Sequence, residues 1–444
     1  MRIFLLSNYY SPETVGAGVW VTQLARDLKS LGHSVTVVTS FPSYPAGRIF
    51  PEYASHRHLR ETIDGIDVIR TYTYGGGSHG VPAKVLGFAA FCASSALGGL
   101  AELPRADVVY AILPPLPLGV SGWLLARAAR CPLVVNVQDI YPDVAIGAGL
   151  LRNARAIGAL GRMEAWVYRR AARIVVISEG FRRNLLAKGV PAGKIGVVPN
   201  WADLDEIRPG ARLNGFRREL GLDGEFLVLY AGSLSRNSHL DPVIDAAGLL
   251  SAEGFAFVIA GEGVHKDHLE RKARRLGLAN VRFLPFQPVE RYAEALAAAD
   301  ATLVTLAPAA TCASAPSKIY KQMAAARPVI AVAEAESEAG RLVGESGCGV
   351  RVPPDNAPAL AQALRTAAAD PAGCARMGRD GRAYIERYCS RARSVAAIER
   401  VLCDAAGQPP RTFPDQNDRA AKIAAENKGL KTPPDHFDRV ASSA

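Results

Sequence analysis

The chain has 444 residues, 49% of them hydrophobic, and a formal net charge of +10. This is longer than one hydrophobic core can serve, about 250 to 300 residues, so two domains are expected. Seven cysteines (92, 131, 312, 348, 374, 389 and 403), odd in number and without a CxxC pair, argue against a disulfide framework and a zinc site and point to a reducing compartment.

The N-terminal "MRIFLLSNYYSPE" has an apolar run too short for a secretory signal and reads as a first strand. Further strands are expected at 34–40, 66–72, 107–113, 132–138 and 173–178, with helical patterns between them. "VLGFAAFCASSALGGL", residues 85–100, is short of the ~20 apolar residues of a membrane span and predicts a buried or interfacial helix. On a helix near 152–173, Arg155, Arg162 and Arg169 fall in one arc with Trp166. That pattern suits a helix lying on an anionic surface; an ordinary solvated face would look similar. No nucleic-acid recognition module is present.

The Pro- and Gly-rich stretch 197–215 reads as a linker. Strands then resume at 226–232, 255–261, 280–285, 301–306 and 328–333. The alternation predicts an α/β chain of two Rossmann-like domains, 1–200 and 205–384, each with a parallel sheet. Ligands of such sheets bind at the strand carboxyl ends, here facing across one cleft. Polar residues and proline pairs from about 405 to 444 predict a largely disordered tail.

Candidate chemistry collects at strand ends. "APSKIYKQM" starts a helix, with Pro316 suited to a first turn, Ser317 to an N-cap, and Lys318 and Lys321 following. A cation there opposes the helix dipole unless an anion such as a diphosphate lies between them; otherwise the lysine is simply solvated. Gly232, Ser233 and Arg236 follow one strand, and Gly261 and Gly263 follow the next. These fit a nucleotide diphosphate, since glycine admits a ligand to the backbone and arginine grips phosphate. Gly16 and Gly18 follow the first strand, though Val21 breaks the dinucleotide fingerprint. Asp139, where residues 132–138 run out, is either a catalytic carboxylate or a helix cap. "DLD" at 203–205 lies in the linker, and the histidines show no HxxxH or HExxH spacing, so no metal is expected.

With these motifs in order, "NYYSPETVGAG", "VQDIYPD", "VVPNWADLDEI", "YAGSL", "AGEG" and "PSKIYKQMAAARPVIAV", the chain closely resembles the retaining GT-B glycosyltransferases of family 4 over about residues 1–403. Within them it is most similar to the branch of colanic-acid-type fucosyltransferases and N-acetylfucosamine transferases of bacterial surface polysaccharide synthesis. The resemblance implies a nucleotide diphosphate sugar bound by the second domain and a lipid-linked saccharide acceptor bound by the first. It also implies a cytoplasmic, membrane-peripheral location and no cofactor. It assigns Gly16 and Gly18 to a loop facing the donor phosphates, Arg236 and Lys318 to the diphosphate, and Gly261 and Gly263 to the nucleobase. Asp139 would face the reacting sugar, Glu338 would approach the donor, and a helix at 385–403 would cross back to the first domain. The family's paired glutamates fall here on Ala313 and Lys321, leaving donor and ribose contact open. A nucleotide-sugar epimerase or an inactive partner subunit would share the architecture.

Overall fold

A computed structural model describes residues 1–13, 16–43, 47–74, 81–102, 105–311 and 313–411. The tail beyond Arg411 and Cys312 lie outside the described residues.

The first half runs β1 (Arg2–Leu6), α1 (Ala17–Ser30), β2 (Ser34–Ser40), β3 (His58–Ile63), β4 (Ile66–Thr71), α2 (Val81–Ala101), β5 (Val108–Leu113) and α3 (Leu118–Ala129). It continues with β6 (Leu133–Val137), α4 (Asp143–Gly147), α5 (Ala154–Arg170), β7 (Arg173–Val176), α6 (Glu179–Ala187) and β8 (Ile195–Val197). These strands pair in the order β3-β4-β2-β1-β5-β6-β7-β8. All pairs are parallel except β3 against β4. The central strands are continuous apolar runs such as "VVYAIL" because helices cover both faces. The edge strand β3 was not expected from the sequence: every second residue of "HLRETI" is exposed, so it lacks a core strand's signal.

The second half runs α7 (Gly215–Leu220), β9 (Phe226–Ala231), α8 (Asp241–Leu249), β10 (Phe255–Ala260), α9 (Lys266–Arg275), β11 (Val281–Leu284), α10 (Val289–Ala298) and β12 (Ala301–Thr305). After these come α11 (Lys318–Ala324), β13 (Val329–Val332), α12 (Glu338–Ser346), β14 (Gly349–Val352), α13 (Ala357–Ala369), α14 (Pro371–Tyr388) and α15 (Arg391–Ala406). Its sheet is all parallel, in the order β11-β10-β9-β12-β13-β14. Each sheet has its own apolar core.

The closing helix expected at 385–403 is in fact two elements. Ile385 and Cys389, at the end of α14, belong to the second core, whereas α15 packs on α1 and the first sheet. The two passages of chain between the sheets lie side by side, joined by a β-bridge between Ala202 and Ser390. Arg391 fastens them, with Nε 2.7 Å from Asp27 of α1 and Nη1 2.6 Å from Asp203. The buried His33 and Glu399 side chains meet at 3.0 Å between α1's end and α15. α15 ends at Ala406, where the tail was expected to begin.

Candidate functional site

The carboxyl ends of both sheets open on one cleft of about 810 Å³, lined from the first half by Gly16, Trp20, Gln138 and Asp139 and from the second by Gly232, Ser233, Ser314, Lys318 and Lys321. Lys318 and Lys321 are one turn apart on α11, so both face the same way. The Lys318 ammonium lies 3.7 Å from the ring centre of Tyr230 at the end of β9 and donates to its hydroxyl. That hydroxyl in turn donates to the Ser233 carbonyl. Lys321 Nζ sits 5.3 Å from the ring centre of Tyr292. Among the described residues neither lysine has a carboxylate within ion-pair distance, although burial and Lys321 act in opposite directions on the half-buried Glu206 nearby. Two half-buried cations facing a cleft, with no ion-pair partner among the described residues, are suited to an anionic ligand.

The loop geometry keeps this site open. Gly232 has φ +149°, and a Cβ there would come within 2.9 Å of Lys318 Nζ. A Cβ on Gly261 would meet the Gly232 carbonyl at 1.9 Å, and one on Gly263, at φ +156°, the Leu234 carbonyl at 2.3 Å. The loops after β9 and β10 are thus pressed backbone to backbone, with Leu234 N–H donating to Glu262 and His265 N–H to Leu234. Gly261 and Gly263 do not themselves line the cleft; they let the loops dock, and Ala260 lines it beside them.

Across the cleft, Asp139 stands on the loop after β6. Burial pushes its carboxyl up to about 7, against a hydrogen bond with Ser314. The same contact region joins the halves, for the Ile140 N–H donates to the Ala313 carbonyl at 3.1 Å. Ala313 is buried within the first half's core cluster. Behind Asp139 runs a chain of amides: Asn200 donates to Gln138, Gln138 to Asn136, and Asn136 to the Tyr110 hydroxyl.

The remaining sequence candidates are placed as follows. Gly16, at φ +69°, lines the cleft as the residue preceding α1, whereas Gly18 is buried against Glu13. Pro316 and Ser317 line it too, but Ser317 has helical dihedrals and makes no cap bond, so α11 starts without the expected serine cap. Arg236 is exposed on the 3-10 turn beyond Ser235 and outside the lining, with no acidic partner among the described residues. Glu338 is buried behind α11, bonded to Tyr320 and to Arg341 at 2.7 Å, outside the cleft. It stands at the start of α12, away from the cleft lining. The sequence reading missed Trp20 and Trp201, both lining the cleft with centroids 4.9 Å apart and planes tilted by 34°, and the tyrosine partners of the lysines.

Asp203 and Asp205 of the "DLD" stretch are structural: Asp203 takes Arg391 and caps the turn through the Asp205 N–H, and Asp205 pairs with Arg208. Among the described residues one group has metal-ligand geometry, Asp241 with His265 and His268. Lys272 Nζ also lies 3.3 Å from Asp241, supplying the positive charge a metal would bring. Burial opposes ionisation of Asp241, but the hydrogen bonds with His268 and His265 outweigh it and hold its pKa at about 2. On α5, Arg155, Arg162 and Arg169 are exposed without acidic partners among the described residues. Trp166 is half-buried edge-on against Trp123 of α3 at 5.0 Å, and Arg170 stacks over both rings. Among the described residues no helix is long and apolar enough to cross a membrane.

Residues 15–201 match the family described as glycosyl transferase 4-like domain, and residues 215–384 that described as glycosyl transferases group 1. The chain is 28% identical over 377 residues to the putative colanic acid biosynthesis glycosyl transferase WcaI of Escherichia coli, spanning 83% of this chain and 92% of that protein. It is 30% identical over 262 residues to the probable glycosyltransferase WbjE of Pseudomonas aeruginosa, spanning 59% and 66% of the two chains. Among solved structures it superposes on sucrose-phosphate synthase of Thermosynechococcus elongatus with a TM-score of 0.73 at 18% identity, covering 91% of this chain and 98% of that one. HepE of Anabaena, solved with UDP-glucose, gives 0.68 at 19% identity, covering 92% and 99%. Two facing parallel sheets, a cationic cleft at their carboxyl ends, and two family matches that together span most of its length show that this chain belongs to the GT-B glycosyltransferases.

Proposed function

We propose that this chain is a retaining hexosyltransferase that moves a sugar from a nucleotide diphosphate sugar to a lipid-linked saccharide, in the synthesis of a bacterial surface polysaccharide. The observation that carries it is the pair Lys318 and Lys321, without an ion-pair partner among the described residues and directed into a cleft whose opposite wall presents Asp139. Lys318, close against Gly232, holds the diphosphate and stabilises the charge that grows on it as the sugar leaves. Lys321 adds a second cation. Asp139 faces the reacting sugar, and near neutral pH it is poised to exchange a proton with it. Closing the halves supplies positioning, which such transfers depend on most. The names of WcaI and of HepE's ligand support the pathway and the donor class. Arg236, exposed between the cleft-lining Ser235 and Asn237, is a further cation for the diphosphate. The protein works at the cytoplasmic face of the cell membrane.

A thermal-shift screen of UDP- and GDP-sugars, followed by incubation of each hit with bacterial lipid extract, tests this. The expected result is stabilisation by one donor class and sugar transfer into lipid with the anomeric configuration kept. Conversion of the donor alone identifies an epimerase, and stabilisation without turnover a partner subunit; either overturns the proposal.

A further inference from the structure

The helix α2 has three faces, and two of them are already occupied. One is docked tightly: a Cβ on Gly99 would lie 2.9 Å from Leu125 of α3, one on Gly98 2.8 Å from Thr71 of β4, and Ser121 Oγ donates to the Cys92 carbonyl at 2.7 Å. A second face, at its N-terminal end, supplies Ala83, Gly87 and Phe88 to the cleft. The third face is exposed and wholly apolar. Val85 is 61% exposed, Leu86 51%, Leu97 72% and Leu100 42%, with Ala89 and Ala93 in the same arc of about 120°. There is no charged residue from Val85 to Ala101. Single exposed leucines are ordinary; a stripe of them along one firmly seated helix is not.

The neighbours give the stripe a context. α2 packs on α3 and α3 on α5, all over the same side of the first sheet, so their outer faces look the same way. Leu124 of α3, 40% exposed, extends the apolar strip. Beyond it lie Arg155, Arg162 and Arg169 of α5, exposed and without acidic partners among the described residues. An apolar strip flanked by free arginines complements a bilayer leaflet, with acyl chains against the strip and anionic headgroups on the arginines.

We infer that α2 is the element that seats this protein in an anionic membrane surface, and that its other face passes the lipid-linked acceptor from that surface into the cleft. The second half of the inference rests on the transferase reading; the first does not. One helix, about 10 Å across, separates the membrane-facing stripe from Phe88 in the cleft wall. A saccharide head can therefore sit at Asp139 while its lipid stays in the leaflet.

Flotation of the full chain with phosphatidylglycerol–phosphatidylethanolamine vesicles tests the inference. The neutral variant Leu86→Ser, Leu97→Ser, Leu100→Ser should lose partition by about tenfold or more at both low and high salt. It should keep the wild-type melting temperature and nucleotide-induced thermal shift. Replacing Arg155, Arg162 and Arg169 by Gln should weaken partition at low salt only, since salt already screens those charges. A serine variant that floats like wild type overturns the inference, as does a wild-type chain that does not float. So does sedimentation showing that the stripe instead closes a dimer. Flotation through α2 by a chain that no nucleotide stabilises keeps the membrane seat and removes the transferase reading.

Discussion

On the proposed reading, donor binding turns on Lys318, whose ammonium is positioned by Tyr230 and has no ion-pair partner among the described residues. Lys318→Ala should weaken nucleoside diphosphate binding by about 1.5 to 3 kcal/mol, the range for hydrogen bonds to charged groups, as read by calorimetry. Unchanged affinity would remove the anion site. Asp139→Asn should abolish transfer and spare donor binding. It also has a stability signature with a defined sign. The folded carboxyl binds its proton up to about pH 7, whereas the unfolded one releases it near 3.8. Ionising it in the fold therefore costs stability progressively from about pH 4 to 7, and above that range the full cost remains. The Asn variant should thus be more stable than wild type at pH 8, by at most about 4 kcal/mol at 1.36 kcal/mol per pKa unit, with the advantage fading toward pH 4. Denaturant melts across that range check it. Lys318 was legible in the sequence because a cation at a helix start begs for an anion. Its tyrosine was not, arriving from 88 positions away on another strand.

At the scale of elements, the loops after β9 and β10 depend on glycine at Gly263, where φ is +156° and a Cβ would strike the Leu234 carbonyl. Gly263→Ala should cost more than about 1 kcal/mol in a denaturant melt and weaken donor binding together with it, since the same loops place Ser233 and the Gly232 backbone against which Lys318 lies. A variant of wild-type stability would show that the loops part easily. The strand-and-helix alternation was legible because buried parallel strands are bare apolar runs. β3 was not, since an edge strand alternates polar and apolar residues. Its turn did carry a signal: Asp64 and Gly65, at φ +54° and +69°, form the Asp-Gly hairpin connection. The short edge strands β8 and β14 offered no comparable cue. Glycines 261 and 263 were expected to admit a ligand to the backbone; what comes close to them in the structure is the protein's own backbone.

For the whole molecule, Arg391 matters most, since it ties α15 to α1 through Asp27 and to the linker through Asp203. Arg391→Met leaves two carboxylates without their cation and should cost about 3 to 5 kcal/mol in a denaturant melt, with Arg391→Lys recovering part. Loss below 1 kcal/mol would mean the halves are held by packing alone. None of this was legible, because the partners lie 364 and 188 positions apart and nothing local marks them. The two passages of chain joined at Ala202 and Ser390 also fix how the enzyme can breathe. Two strands of a spine permit turning about their common line and resist sliding past each other. In such a turn, groups beside that line, such as the tilted pair Trp20 and Trp201, would shift least, while displacement would grow with distance from it. Turnover limited by that single turning motion would be damped by the solvent itself, so kcat should fall as glycerol thickens the buffer even though no bond to the sugar has changed.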